Sequence, residues 1–457
     1  LQFRRDGNAF FVTLTSSQTV GSRKTITVYY HGKPHIAVNP PWGGGIIWTR
    51  DPAGNTWVAT ANQGLGASVW WPNKDQQADE PDSQRVAITV PDPMVDVSNG
   101  RLRSTTHNPD KTTTFEWFVT SPINNYAISV NAGTYAHYTE TLAGAGGKLS
   151  LDFWPLAVNL EKAKAQFPQA GKMVACFEHW FGAFPWYADG YKLVEAPHLG
   201  MEHQSAVAYG NEYRNGYRGR DLSNTGEGLK WDYIIVHESA HEWWGNNITA
   251  KDVADNWIHE GLAYYAEGLF SECQDGKQAG ATYLIGSRRN IRNDRPVIGT
   301  YGVMSEGSGD MYPKGANMMH TIRQIVNDDA KWLAILHGLQ TTFARKLVTT
   351  EEFEAYISKQ AGTDLTPVFN EYLRTAMIPV LEYRVNGTAI FFRWNNVVPG
   401  FNMPVRISAP GGSPILISPT DQWKTMTSPL KLATDPLSVD ENFYVTIKRV
   451  EKEEHHN

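Results

Sequence analysis

Residues 231–270 read WDYIIVHESAHEWWGNNITAKDVADNWIHEGLAYYAEGLF, and the organisation of the whole chain follows from this stretch. It contains His-Glu-x-x-His, with His237 and His241 four residues apart and so on one face of any helix they share. Two imidazoles placed in this way reach one metal ion. Glu238 sits about 100° round the helix from His237, because an α-helix turns once per 3.6 residues. There it flanks the metal's open side and can take a proton from a water molecule. Zinc in a hydrolase usually takes three protein ligands and keeps a fourth position for water, so a third ligand is required. Glu260 follows His241 after 18 intervening residues, in a segment with Trp257, Leu262, Tyr265 and Leu269 at helical spacing. The expectation is a second helix, joined to the first by a short loop, with Glu260 facing the histidine pair. The apolar run of Tyr233, Ile234, Val236, Ala240 and Trp244 predicts that the first helix stops at Gly245-Asn246. The five-residue pattern alone arises by chance roughly 0.02 to 0.03 times in a chain of this composition, so its helical context carries much of its weight.

The composition bounds the rest. A chain of 457 residues suggests two to four domains, and 16 Trp, 20 Tyr and 18 Phe are ample for packed cores. A net charge of −6 gives no sign of a nucleic-acid partner or an anionic membrane surface. Cys176 and Cys273 are compatible with one disulfide but with no disulfide framework, and they exclude zinc bound by cysteines. No apolar run has the length of a membrane span. Leu1 opens directly into patterned sequence without a basic n-region, so a leader, had there been one, has been removed; that fits a periplasmic or secreted chain, and the compartment is otherwise unassigned. Residues 453–457 read as a solvated tail.

The pattern divides in three. Residues 1–142 alternate apolar and polar positions, as in 10–14 and 25–30, between Gly and Pro turns, and predict an antiparallel β domain. Within it, 62–90 is rich in Trp, Gln and Asp, and reads as a functional edge or a long surface loop. The Ala-Gly run at 143–147 marks the expected linker. Residues 143–378 are helical in pattern, with a capping box at Thr349 and Glu352, and an N-cap Thr366 before Pro367. Residues 379–457 return to short strands, a small C-terminal β module. The fold class is therefore α+β and multidomain.

The run HESAHEWWGNNITAKDVADNWIHEG resembles the zinc signature of the aminopeptidase N family of gluzincin metallopeptidases, relatives of leukotriene hydrolase. HLGMEHQS at 198–205 is similar to the family's Gly-x-Met-Glu-Asn motif, which implies that Gly200 and Met201 border the substrate and that Glu202 anchors its free α-amino group. MYPKGA at 311–316 resembles the Tyr-x-Lys-Gly segment, which implies Tyr312 as the phenol that stabilises the tetrahedral intermediate. NQGLGASVWWP aligns Gln63 with a substrate-contacting Gln. The resemblance implies a thermolysin-like catalytic domain between a β domain lacking its first strands and a β-sandwich-like C-terminal domain. Departures are His203 in place of Asn, Ser68 in place of a common Arg, an insertion at 209–230 read as a loop rather than a lid, and the loss of most of a C-terminal helical domain.

An ammonium is bound by carboxylates, so Glu267, two helical turns past Glu260, is a second candidate beside Glu202. His198, His203 and His259 read as supporting residues rather than ligands. The expected activity is that of a zinc-dependent aminopeptidase, with one Zn2+ per chain, Glu238 as base, Tyr312 as oxyanion donor and peptides with a free N-terminus as substrates. The alternatives are a zinc hydrolase of another substrate, such as an endopeptidase or epoxide hydrolase, or an inactive binding module.

Overall fold

A computed structural model describes residues 1–64, 66–77, 79–427 and 436–451; the expected solvated tail at 453–457 lies outside them. The chain forms two compact units, Leu1–Pro34 and His35–Asn457. The first is a hairpin of Gln2–Asp6 against Ala9–Thr13, turning at Gly7 with φ 56°. The alternating run at 25–30 forms no strand, and Ile26, Val28, Tyr29 and Tyr30 are exposed; no neighbouring strand in the unit supplies it with a ladder.

The second unit opens with two antiparallel sheets. One orders Gly45–Arg50, Thr56–Ala61, Asn131–Gly133 and Val95–Val97, and the other Gln84–Pro91, Thr112–Val119 and Arg101–His107. Thr112–Val119 buries every second residue, as a strand with one face on a core must. Ile46, Trp57 and Val58 of the first sheet pack with Val86, Phe115 and Trp117 of the second in one core. The expected linker is instead a hairpin turn: Tyr138–Gly144 pairs with Gly147–Trp154, Gly144 opposite Gly147. Gly147, with φ 113°, supplies the turn conformation, so the glycines there serve a tight reversal rather than a hinge. This hairpin begins a mixed five-stranded sheet that continues through Tyr191–Glu195 and Val207–Tyr209 to the edge strand Gly200–Met201.

Nine helices are found among the described residues: α1 (Leu160–Gln166), α2 (Gln169–Phe181), α3 (Tyr233–Ala240), α4 (Trp257–Asp275), α5 (Lys277–Ser287), α6 (Pro313–Val326), α7 (Asp329–Thr342), α8 (Thr350–Ala361) and α9 (Thr366–Arg374). None is long and apolar enough to cross a membrane. The Thr349–Glu352 capping box opens α8 as expected. At α9 the cap is shifted: Thr366 is already helical, and the Asp364 carboxylate accepts its N–H at 2.9 Å. A disulfide between Cys176 and Cys273 ties α2 to the last turn of α4.

Every residue of α4 from Trp257 to Ser271 is buried, so this helix is enclosed on all sides rather than amphipathic. Polar side chains on it must therefore find partners inside the protein. Its Gly261 lets α6 approach closely: a Cβ there would lie 2.9 Å from the Met311 carbonyl oxygen and 3.3 Å from the Gly315 Cα. That contact brings the start of α6, and Tyr312 before it, beside the first turn of α4. The C-terminal strands form a four-stranded sheet (Lys424–Thr427, Ala389–Asn395, Val380–Asn386, Thr446–Arg449) and a three-stranded one (Ile415–Ile417, Val405–Ser408, Ser438–Val439). The α+β organisation expected from the pattern is the one found.

Candidate functional site

Helix α3 is set by its cap and its core. The Asp232 carboxylate accepts the N–H groups of Ile234 and Ile235, and also hydrogen bonds from Tyr209, Asn211 and Gln166. The first two of these come from the 209–230 stretch and the third from α1, so the supposed insertion is a packed loop that holds the start of α3. Ile234, Ile235, Val236 and Ala240 are fully enclosed, which fixes the rotation of the helix. The regular helix ends at Ala240, short of the expected Gly245-Asn246, and its last turn tightens: both Trp243 and Trp244 donate N–H to the Ala240 carbonyl. The connection to α4 is longer than a short loop and contains the strand Ile248–Ala250, paired in parallel with Lys346–Val348.

His237, His241 and Glu260 converge, with one ligand atom from each within 4.8 Å of the others. Glu260 Oε2 lies 3.4 Å from His237 Nε2 and 3.3 Å from His241 Nε2. The far side of each ring fixes its tautomer. His237 Nδ1 is 2.7 Å from Glu267 Oε1, and His241 Nδ1 is 2.9 Å from the Trp244 carbonyl oxygen. An ionised carboxylate and a carbonyl only accept, so each Nδ1 carries the hydrogen and each Nε2 turns a lone pair inward. Glu260 Oε2 is buried without a hydrogen-bond donor among the described residues. Two imidazole lone pairs and an unpartnered carboxylate oxygen facing one point call for a cation, and two nitrogens with one oxygen are a donor set that zinc accepts. The residues fit the metal.

Glu267 is not where an ammonium could reach it. Its Oε1 holds His237, its Oε2 accepts the Tyr283 hydroxyl, and the side chain is fully enclosed, so its part is to orient a ligand. The position expected to bind substrate is corrected accordingly.

Glu202 lies near enough for its charge to act on His241 and Glu238. Its Oε1 accepts Gln63 Nε2 at 2.7 Å and the Tyr126 hydroxyl at 2.8 Å, while Oε2 takes no hydrogen bond among the described residues. The backbone is held as well: Asn246 Nδ2 donates to the Glu202 carbonyl, and the Glu242 carboxylate accepts the Ser205 N–H. Gly200 packs directly on Glu238, and a Cβ there would stand 2.9 Å from Glu238 Oε1. Met201 points the other way, into a small core with Tyr126, Ala196 and Ala208. Glu238 itself is half-buried; burial pushes its carboxyl up to about 7, the imidazoles oppose this, and Glu202 and Glu260 add to it.

The Tyr312 ring stacks against His237 with centroids 5.9 Å apart. Burial, with the charges of Glu260, Glu306, Glu202 and Glu238, holds its phenol well above the usual range, so the hydroxyl stays a donor. His259 accepts the Ala250 N–H on Nε2, and His198 and His203 are buried with neither ring nitrogen paired; none of the three joins the ligand set. Within 62–90, Gln63 donates to Glu202, Glu80 accepts the Thr249 hydroxyl, and a strand runs from Gln84 onward. Sequence reasoning missed Tyr126, which comes from a segment without helical or motif context and which only the fold brings to Glu202.

Residues 169–372 match the family model described as the peptidase family M1 domain. The chain is 20% identical over 237 residues to probable aminopeptidase 1 of Sulfurisphaera tokodaii, a match covering 49% of this chain and 30% of that protein. It is 23% identical over 318 residues to aminopeptidase M1-B of Oryza sativa subsp. japonica, covering 66% of this chain and 35% of that one. The chain thus spans about a third of the length of these curated relatives. Among solved structures, an M1 zinc metallopeptidase variant from Deinococcus radiodurans bound to a Tyr-Ser-Ala substrate shares the fold, with a TM-score of 0.62 at 21% identity over 76% of this chain and 75% of that one. The matched segment runs from α2 to α9 and carries both halves of the ligand set, with the Glu202 strand and Tyr312 between its ends. Residues 169–372 are thus similar to the peptidase family M1 domain, and the chain shares its fold with solved M1 zinc metallopeptidases.

Proposed function

We propose that the chain is a zinc-dependent aminopeptidase that removes the N-terminal residue of peptides. One observation carries the reading: the Glu202 carboxylate is fixed at Oε1 by Gln63 and Tyr126 and leaves Oε2 open beside the His237–His241–Glu260 set. A carboxylate oriented in that way matches a substrate ammonium and leaves a blocked terminus without a partner for it. Zinc bound by His237, His241 and Glu260 supplies a Lewis acid that polarises a carbonyl and makes water acidic enough to ionise near neutral pH. Glu238 takes the proton of the attacking water and returns it to the leaving amine. The Tyr312 hydroxyl donates to the oxyanion as it develops. Gly200–Met201 is the edge of its sheet, and its outer backbone groups can hold an extended substrate as one more strand.

The test compares free and N-acetylated aminoacyl amides on protein of known zinc content. Free forms alone should be cleaved, with activity lost to chelator and recovered with zinc; equal cleavage of acetylated forms would overturn the reading. Glu202→Ala should raise KM for free-amine substrates by about 10²-fold, the cost of leaving an ammonium without its charged partner. An unaltered KM would remove Glu202 as the anchor.

Gly200→Val should lower kcat by about 10²-fold with zinc content unchanged, because the added side chain displaces the Glu238 carboxylate by roughly an ångström. Wild-type kcat in this variant would mean that Glu238 needs no fixed position.

A further inference from the structure

The cleft holds more negative charge than the reaction just described uses. In that reaction zinc answers the charge of Glu260 and the substrate ammonium that of Glu202. Glu306 is additional. Its Oε1 accepts Asn256 Nδ2 at 3.1 Å, which places it at the first turn of α4, the end that carries Glu260. It is exposed to solvent, and among the described residues no Lys or Arg pairs with it. Partial burial of the carboxyl, and after it the charges of Glu260 and Glu202, raise it above the usual carboxylate range. Glu80, the other unassigned carboxylate nearby, already accepts the Thr249 hydroxyl, and burial pushes it up to about 7, so part of it is neutral at physiological pH.

The loop bearing Glu306 is built as a wall. It is pinned to the residues just before α4: the Gly299 N–H donates to the Ala254 carbonyl, the Tyr301 hydroxyl to Asp255, and the Gly302 N–H to Asp252. Val303 and Met304 on it are exposed by 56% and 70%, and Tyr301, though its hydroxyl is bound, by 47%. A carboxylate with no cationic partner among the described residues, on a loop that also exposes apolar side chains, complements a long alkyl stem with a cationic head.

We propose that Glu306 makes the enzyme selective for peptides whose N-terminal residue is Arg or Lys. The Glu306 carboxylate pairs with the guanidinium or ammonium, and Tyr301, Val303 and Met304 cover the stem. This rests on the aminopeptidase reading above and goes beyond it in naming the substrate class.

The decisive comparison uses isosteric pairs: fluorogenic amides of arginine against citrulline, and of lysine against norleucine, with leucine as reference. Arginine should exceed citrulline in kcat/KM by at least about tenfold, in the range that one interfacial charge pair supplies. Glu306→Gln should bring that ratio to near parity by lowering the arginine and lysine rates alone. The substitution lies on an exposed loop, and unchanged leucine cleavage would verify that the variant is folded. Parity of arginine and citrulline in the wild type overturns the proposal, as does a preference that survives Glu306→Gln. Cleavage of leucine without any cationic preference overturns the specificity and leaves the aminopeptidase reading standing. If zinc-loaded protein cleaves none of the amides, the aminopeptidase reading fails. Calorimetric binding of L-arginine against L-citrulline, to wild type and Glu306→Gln, then decides the charge pairing: equal affinities in the wild type overturn it.

Discussion

Glu238→Gln should lower kcat by about 10³-fold, the middle of the range for removing a general base, while leaving zinc content, KM and melting temperature close to wild type. The amide has nearly the shape of the carboxylate and cannot accept a proton at neutral pH. Structure gives no reason for the fold to suffer: Glu238 is half-buried, and among the described residues it makes no ion pair and no side-chain hydrogen bond. Its neighbour Gly200 presses on the side-chain end, which Gln fills equally well. The separation of effects is the informative part. A group that only orders substrate would raise KM, whereas a group that moves a proton in the transition state lowers kcat and leaves binding in place. Turnover within tenfold of wild type on protein of equal zinc content would take Glu238 out of the base role.

How much of this site could be read without coordinates follows from distance along the chain. His237, Glu238, His241 and Glu260 share two helices whose periodicity is visible in sequence, so their convergence was legible. The motif resemblances at 198–205 and 311–316 led to Glu202 and Tyr312. Glu267 shows where the same logic stops. Helical spacing correctly set it on the Glu260 face of α4, but α4 is enclosed on all sides, and that face meets His237 two turns on. Spacing gives a direction from the helix axis; what stands in that direction is a tertiary fact. The partners of Glu202 lie 76 and 139 residues away in sequence; the motif resemblance led to Gln63, whereas Tyr126, in a short 3-10 turn, has no pattern to distinguish it. The 143–147 stretch failed for a local reason, since glycines in a linker and in a hairpin have the same composition and differ only in φ. The run at 25–30 failed for the converse reason: strand propensity expresses itself only where a neighbour supplies the ladder.

Glu260→Gln should weaken zinc binding by about 10²- to 10³-fold, and at trace zinc it should abolish turnover. The magnitude follows from sharing the roughly 10–16 kcal/mol of a protein zinc site among three ligands, about 3–5 kcal/mol each, of which the remaining Gln oxygen keeps a part. The substitution keeps the side-chain length and one oxygen but removes the negative charge, which is the larger part of what a carboxylate offers a divalent cation. The arrangement around Oε2 makes the loss specific. That oxygen has no donor of its own and sits 3.3 and 3.4 Å from two Nε2 atoms whose hydrogens lie on the far side of their rings. An amide in the same place can turn its N–H groups toward those lone pairs and fill the centre with hydrogen bonds, which competes directly with the metal. Excess zinc should therefore restore part of the activity, which it could not do if the variant were misfolded. The zinc-dependent rise in melting temperature should shrink too, because stabilisation by a ligand scales with the logarithm of its concentration over Kd. Competition against a chelator of known affinity measures the change directly, and an unaltered zinc Kd in this variant would remove Glu260 from the ligand set.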